Sequence, residues 1–449
     1  MMKIKIKQIL GKELLSAKPE AGEVLKIAEA IDNFISDLDD ELKKEKIRAK
    51  AILGGSFRKG TMIRKEKYDA DIFVQFDRKY ENISEMLENV LNVIAKKSTL
   101  RNRNVSGAPK TRKFSSEIKF EKIHGSRDYF SAELKEIAEI PVFLEIVPVI
   151  EIKKASEAKN ITDVSLLHVD YVLKKIKKNK KLADEIILLK AFCYAQGCYG
   201  AESHIKGFSG YVLEILASNY GSFTKVLENA SKWNIKNKVI IDPEHYYKGK
   251  KVLEELNESK LSSPIILIDP VQKERNAAAA LSVERLNDFI AAAKKFLKNP
   301  SASLFAKKEI SEEEMKKYAK SKNALFFKAS ATSSKHSIVA GAKLLKFFNL
   351  LVSALERAEY KILKKEWSYD EREKKAEFFF VLKKPKTILI KGPPVSMKKN
   401  VEAFKKGKKE IKILKGVVYA VDKPKEIADV LKIRRDILDE MGIQNYPNM

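Results

Sequence analysis

The sequence predicts an α+β, multidomain protein, and three observations carry that reading. Residues 1–155 interleave strand-like alternation with amphipathic helical stretches. From residue 163 the hydrophobic period becomes helical for about seventy residues. Residues 301–449 return to a strand–helix–strand–strand order, a βαββ-type unit. At roughly one domain per 150 residues, the 449-residue chain accommodates three. The expected divisions are 1–155, a mixed sheet with flanking helices; 156–300, helical; and 301–449, a βαββ body with a tail.

In the first division, Leu25, Ala28, Ile31, Ile35, Leu38 and Leu42 recur at three and four residues and predict a helix over 20–46. A strand at 47–53 ends in Gly54-Gly55-Ser56, and a second strand spans 71–76. A helix over 82–97 leads to a basic loop, Arg101 to Lys113, and then to strand-like runs at 115–121, 127–134 and 141–150. The last sets Val142, Leu144 and Ile146 on one face against Phe143, Glu145 and Val147 on the other, with Pro148 weakening its pairing.

The second division predicts helices at 163–178, 181–197, 206–219 and 222–234. A Lys-rich excursion at 247–260, a short strand Ile265–Ile268 and a helix over 276–297 follow. The third predicts strands at 324–329, 360–367, 376–383 and 416–421, with helices at 336–359, 398–408 and 426–440.

The chain carries 88 Lys+Arg against 61 Asp+Glu, a net charge of +27, with only 14 arginines among the cations. A mean field this positive favours a polyanion: nucleic acid or an anionic surface. Compositional bias explains part of the lysine excess over arginine. It does not explain the excess of positive over negative charge, so the balance favours nucleic acid. A hydrophobic fraction of 44 % excludes general disorder. No apolar run approaches the ~20 residues of a membrane helix, and residues 1–30 lack a signal-peptide core, so a soluble, cytoplasmic protein is expected. Cys193 and Cys198, five apart in an apolar helical stretch, fit core positions rather than a zinc site.

The most informative segment is Gly54-Gly55-Ser56-Phe57-Arg58-Lys59-Gly60-Thr61, followed by Asp69-Ala70-Asp71. A Gly-Gly-Ser turn between strand and helix lets backbone N–H groups approach a phosphate, with Ser56 and Lys59 as further donors. Carboxylates at i and i+2 on a strand point to the same side and raise each other's pKa unless a cation lies between them. Asp69 and Asp71 are therefore candidate divalent-metal ligands, and oxygen-only donors favour Mg²⁺ or Mn²⁺ over zinc. Glu145, alone among apolar neighbours in Phe143-Leu-Glu145-Ile-Val-Pro148, supplies a third carboxylate for two-metal phosphoryl transfer.

Gly-Ser-x(4)-Thr, then Asp-x-Asp, then a carboxylate in an apolar strand before Val-Pro resembles the DNA polymerase beta nucleotidyltransferase superfamily. Leu188-Leu-Lys190-Ala-Phe, Tyr199-Gly-Ala-Glu202, Lys206-Gly-Phe-Ser-Gly-Tyr211 and Ile268-Asp-Pro-Val271 with Arg275-Asn276 narrow the likeness. They are similar to the archaeal class I CCA-adding enzymes. Collinear over residues 30–300, the likeness continues faintly through Gly392-Pro393 and Asn400-Val401. It implies a polymerase-beta-like catalytic head, a helical neck that selects the nucleotide, and an RRM-like body and tail that bind tRNA. The implied activity is template-independent addition of C, C and A to a tRNA 3′ end from CTP and ATP, using two Mg²⁺ ions. By position, the likeness makes Asp69, Asp71 and Glu145 catalytic metal ligands. Ser56, Lys59, His168, Lys190, Tyr199 and Arg275 become nucleotide-binding residues. Read from residues alone, His168 equally fits a satisfied core histidine, Lys190 a snorkelling lysine and Tyr199 a core ring. The expected partners are tRNA through its acceptor and T arms, CTP and ATP, no membrane, and a second copy in a homodimer.

Two positions depart from that family. Its usual Glu-x-Asp with a later Asp is here Asp-x-Asp with a later Glu, a compensating exchange of side-chain length. Lys59 stands where Arg is usual, a point charge replacing a bidentate fork. Lysine clusters at 364–365, 383–386, 398–399 and 405–409, interleaved with Phe378-Phe379-Phe380 and Phe404, fit recognition of an A-form RNA backbone. Another template-independent polymerase (poly(A) polymerase-like) and a non-catalytic RNA-binding protein are the competing readings.

Overall fold

Strand alternation and two amphipathic helices build the scaffold of the N-terminal unit. The computed structural model describes residues 2–65, 67–103, 118–134, 141–247, 252–307, 324–334, 337–371, 373–432 and 435–446. The chain divides into two compact units, Met1–Lys308 and Glu309–Met449. Within the first, α1 (Met2–Ala17) and α2 (Ala21–Lys44) precede β1 (Ala49–Leu53), a one-turn α3 (Gly55–Lys59) and β2 (Tyr68–Phe76). Then come α4 (Ile83–Arg103), β3 (Glu121–Ile123), β4 (Tyr129–Leu134) and β5 (Val142–Ile150). The helix α1 was not expected from the sequence. Residues 104–113 of the expected basic loop, the start of the expected strand at 115–121, and 248–251 of the Lys-rich excursion lie outside the described residues.

The five strands form one mixed sheet in the order β1-β2-β5-β4-β3, with β2 and β5 parallel at its centre. One face is apolar: Ala70, Ile72, Val74, Val142, Leu144 and Ile146 pack with Ile31, Phe34 and Leu38 of α2 and Leu87, Val90 and Leu91 of α4. Burying this stripe drives the sheet–helix layering. The alternate residues of β2 and β5, among them Asp69, Asp71 and Glu145, face the other way. Pro148 acts as expected: pairing with β4 ends at Ile146, while pairing with β2 continues to Ile150. Because β2 begins at Tyr68, Asp69 and Asp71 lie inside the strand rather than at its opening.

A second core in the same unit gathers α5 (Ser165–Lys178), α6 (Leu182–Ala195), α7 (Gly210–Tyr220) and α8 (Phe223–Ala230). After these come β6 (Val239–Ile241), two single turns, α9 (Val252–Glu255) and α10 (Glu258–Leu261), then β7 (Ile265–Leu267) and α11 (Val283–Lys298). The strands β6 and β7 pair in parallel, and β6 was not expected. Cys193 and Cys198 are buried free thiols. The last helix starts seven residues later than its periodicity suggested, at 283 instead of 276. The reason is Asn276, whose side chain accepts from the Leu267 and Ala278 N–H groups and donates to the Lys260 and Ile265 carbonyls. That satisfied turn outcompetes helix until Ser282 caps Arg285 N–H.

The unit Glu309–Met449 contains β8 (Ala324–Ser330), α12 (Ser337–Arg357), β9 (Lys361–Asp370) and β10 (Lys375–Lys383), the expected βαββ order. The sheet runs β8-β10-β9, antiparallel throughout. A second antiparallel sheet has β13 (Val417–Asp422) between β11 (Ile388–Pro394) and β12 (Glu410–Leu414), with α13 (Lys398–Lys405) beside β11. The strands β11 and β12 were not expected, and the single helix expected over 426–440 is α14 (Ile427–Leu431) and α15 (Arg435–Met441). Two expectations are corrected here. Helix α12 is long and apolar enough to cross a membrane by length and composition, although its Leu344, Phe347, Leu351 and Leu355 are buried against the sheet. Phe378, Phe379 and Phe380 are buried at 0–1 % exposure, so they are core and not part of the RNA-facing surface expected of them with the lysines. The lysines 383, 398, 399, 405, 406, 408 and 409 are exposed.

Candidate active site

The Gly54-Gly55 turn is shaped by two close approaches. Gly54 N–H donates to the Asp71 carbonyl at 2.8 Å, extending the β1–β2 ladder by one bond. A Cβ on Gly55, at φ +56°, would lie 1.7 Å from Asp71 Oδ2, and one on Gly54 would lie 2.3 Å from the Phe73 ring. Glycine is therefore required twice for the turn to sit on β2. The chain then makes α3, ends at Gly60 in the left-handed region, and returns Thr61 N–H to the Ser56 carbonyl at 3.0 Å.

Above this turn lies a cavity of about 490 Å³. Seven of the nine expected site residues line it: Ser56, Lys59, Asp69, Asp71, Glu145, Lys190 and Tyr199. In the parallel β2–β5 ladder Asp71 stands level with Glu145, and Asp69 with Phe143. Burial pushes the Asp71 carboxyl up to about 6, with Asp69 adding to the rise and Lys59 opposing it. Burial pushes Glu145 further, to about 8, reinforced by the charges of Asp71 and Asp69. Partly buried carboxylates that repel one another favour a cation held between them. An oxygen-only anionic set of this kind suits a hard divalent cation. Among the described residues no trio of His, Cys, Asp or Glu converges to metal-ligand spacing.

Also lining the cavity, two lysines share one carboxylate. Lys59 Nζ donates to Glu214 Oε2 at 2.6 Å, and Lys190 Nζ donates to Glu214 Oε1 at 2.7 Å. Lys190 also donates to the Thr61 carbonyl and hydroxyl, at 3.2 and 3.1 Å, and the Thr61 hydroxyl donates to Glu214 Oε1 at 3.1 Å. Burial lowers the Lys190 pKa, and Glu214 opposes that fall. The Tyr199 ring lies beside this group, with Lys65 Nζ 4.7 Å from its centroid. Tyr199 reaches the cavity because Cys198–Gly200 pairs with 207–208, where a Cβ on Gly207 would lie 2.3 Å from the Cys198 carbonyl.

His168 and Arg275 do not line the cavity; they meet around Asp269. That carboxylate, fully buried, lies 3.0 Å from His168 Nε2 and accepts from Arg275 Nη1 at 2.6 Å and Tyr211 Oη at 3.1 Å. Burial would raise its pKa, but His168 and Arg275 hold it down to about 2. The His168 ring stacks on Tyr211 at 4.2 Å, and Tyr211 lines the cavity, so this cluster reaches it through one ring. Three groups escaped the sequence reading as site residues: Glu214, Asp269 and Tyr211. Glu214 carried a signal, a lone carboxylate inside the apolar run Val212-Leu-Glu214-Ile-Leu216.

Residues 184–306 match the family described as tRNA nucleotidyltransferase, second domain. The CCA-adding enzyme of Nanoarchaeum equitans is 38 % identical over 250 residues, 55 % of this chain and 55 % of its own. That of Methanocaldococcus jannaschii is 28 % identical over 457 residues, 100 % of this chain and 95 % of its own. That of Methanothermobacter thermautotrophicus is 26 % identical, covering 95 % of this chain and 87 % of its own. The chain thus spans about half the length of the first relative and most of the other two. Among solved structures, the RNA terminal uridylyl transferase Cid1 aligns over 68 % of this chain and 98 % of its own, with a TM-score of 0.48 and 12 % identity. Collinear motifs, a sheet that assembles the three carboxylates and relatives along the whole length agree: the chain is similar to the archaeal CCA-adding enzymes from end to end, and its residues 184–306 match the second domain of tRNA nucleotidyltransferases.

Proposed function

We propose that this protein is a CCA tRNA nucleotidyltransferase that adds C, C and A in turn to the 3′ end of tRNA from CTP and ATP, without a template. The observation that carries the reading is the face of β2 and β5: Asp69, Asp71 and Glu145 line one cavity with the Gly55-Ser56 turn. Asp69, Asp71 and Glu145 would hold the divalent cations, Mg²⁺ with Mn²⁺ as a substitute. Bound there, the cations would lower the pKa of the tRNA 3′-hydroxyl and neutralise the pyrophosphate leaving group. The turn presents backbone N–H groups and the Ser56 hydroxyl to the polyphosphate, and Lys59 and Lys190 supply positive charge beside it. Tyr199 offers an aromatic wall, while Arg275, His168 and Tyr211, organised by Asp269, offer donors and a ring for reading the base. In this proposal residues 1–155 are the catalytic head, 156–300 the nucleotide-selecting neck, and the exposed lysines of 301–449 the tRNA-binding body and tail. A cytoplasmic location and a homodimer belong to the same proposal.

The test is incubation of the purified protein with Mg²⁺, tRNA lacking its terminal CCA, and each labelled nucleotide. Incorporation of CMP twice and AMP once, then arrest, is the expected result. Unlimited AMP addition would indicate a poly(A) polymerase-like enzyme instead, and no incorporation would overturn the reading.

A further inference from the structure

Glu214 is 1 % exposed in the middle of α7, between the buried side chains of Val212, Leu213, Ile215 and Leu216. An isolated carboxylate there would be strongly unfavourable, so its partners are the reason it is tolerated. One lysine would suffice for that. Two are present, from different parts of the fold: Lys59 at the end of α3 and Lys190 within α6, each on its own carboxylate oxygen at 2.6 and 2.7 Å. Two ammoniums and one carboxylate leave one surplus positive charge on the cavity wall.

The hydrogen-bond inventory separates the two lysines. An ammonium has three donors. Those of Lys190 are placed on Glu214 Oε1, the Thr61 hydroxyl and the Thr61 carbonyl. Among the described residues Lys59 places one donor, on Glu214 Oε2, and its side chain lines the cavity at 7 % exposure. Glu214 thus sits between an ammonium with its donors filled and one with donors to spare.

From this arrangement we infer that Glu214 is a positioning residue: backed by Lys190 and Thr61, it aims the Lys59 ammonium at the polyphosphate of the incoming nucleotide. This rests on the nucleotidyltransferase reading above and adds a residue to it. A lysine needs such support where a planar guanidinium would be oriented by its own fork, because its four-carbon stem is flexible. Replacing Glu214 by glutamine does not simply add positive charge, since burial already disfavours the charged form of Lys190 and the carboxylate is what opposes that.

The experiment compares Glu214→Gln with the wild-type protein in steady-state addition of CMP to tRNA lacking CCA, and in competition by cytidine, which has no phosphate. Expected is a tenfold or greater rise in KM for CTP and for ATP, kcat within threefold, and an unchanged inhibition constant for cytidine. An unchanged KM overturns the inference; so does a rise matched by equal weakening of cytidine, or a fall confined to kcat. If Glu214→Gln does not fold, as judged by circular dichroism, Glu214→Asp keeps the charge and draws it back by one methylene. It should raise KM for both triphosphates severalfold, and a wild-type KM there overturns the inference. Should the wild type fail to extend tRNA, the functional reading itself falls. Equilibrium binding of CTP against cytidine to wild type and Glu214→Gln then still tests the polyphosphate role.

Discussion

Gly55→Ala isolates the geometric requirement of the site from its backbone strain. The new Cβ would lie 1.7 Å from Asp71 Oδ2 and 2.6 Å from its Cγ, at a φ of +56°. Relief requires the Asp71 carboxylate to retreat by more than about 1 Å, a misplacement that costs on the order of 100-fold in rate, or about 2.7 kcal/mol of barrier. Gly60→Ala is the control. It sits at φ +62° with nothing within 4 Å of the added carbon, so it carries the left-handed strain without the collision. Both variants should lose about 1–2 kcal/mol of stability from that strain. Only Gly55→Ala should lose rate. The assay is single-turnover addition of labelled CMP to tRNA lacking CCA, alongside thermal unfolding of each variant. Gly60→Ala is expected within about threefold of wild type, with Gly55→Ala slower by the order of 100-fold. Rates for the two variants within threefold of each other would refute the claim that Gly55 exists to make room for Asp71.

Other outcomes follow from the same geometry. Glu145→Ala should abolish incorporation, with a loss of several kcal/mol in transition-state stabilisation; retained activity would remove Glu145 from the metal ligands despite its place beside Asp71. Without metal, the raised carboxyls, Asp71 at about 6 and Glu145 at about 8, hold protons that the unfolded chain releases at lower pH. Stability should then fall as pH rises from the ordinary carboxyl range through 6 and 8, and saturating Mg²⁺ should remove that fall; parallel melting curves with EDTA and with Mg²⁺ would contradict this. Asp269→Asn withdraws the charge that His168 and Arg275 share. It should raise KM for CTP and ATP about as much as Arg275→Ala, and an additive double variant would show that the two act independently.

Much of this site is legible along the chain because its residue types are improbable where they stand. Carboxylates two apart on a strand, a carboxylate inside Phe143-Leu-Glu145-Ile-Val, and paired glycines before a serine each break a local preference. The elements were legible for the same reason, with clear periods in α2, β5 and α12. Misreadings came where a side chain competes with periodicity, as Asn276 does by holding a turn ahead of α11. They came also in short strands such as β6, β11 and β12, whose partners lie elsewhere in the sequence. The aromatic run Phe378–Phe380 reads as part of an RNA-facing surface with its lysines, but pairing on both sides of β10 turns it into core.

By itself the sequence determined that carboxylates, glycines and lysines suited to phosphoryl transfer are present, and that their carriers are strands, turns and helices. Those are local properties, set by alternation and by the torsion angles each residue tolerates. Tertiary structure alone decided which of them meet. Parallel pairing of β2 with β5 puts Asp71 level with Glu145 across more than seventy residues of chain. Packing of α6 and α7 brings Lys190 and Glu214 to Lys59, more than a hundred residues away. Desolvation in the assembled cavity then raises two carboxyls and lowers a lysine. Charge interaction and burial depend on distance in space, and no spacing along a chain encodes that distance.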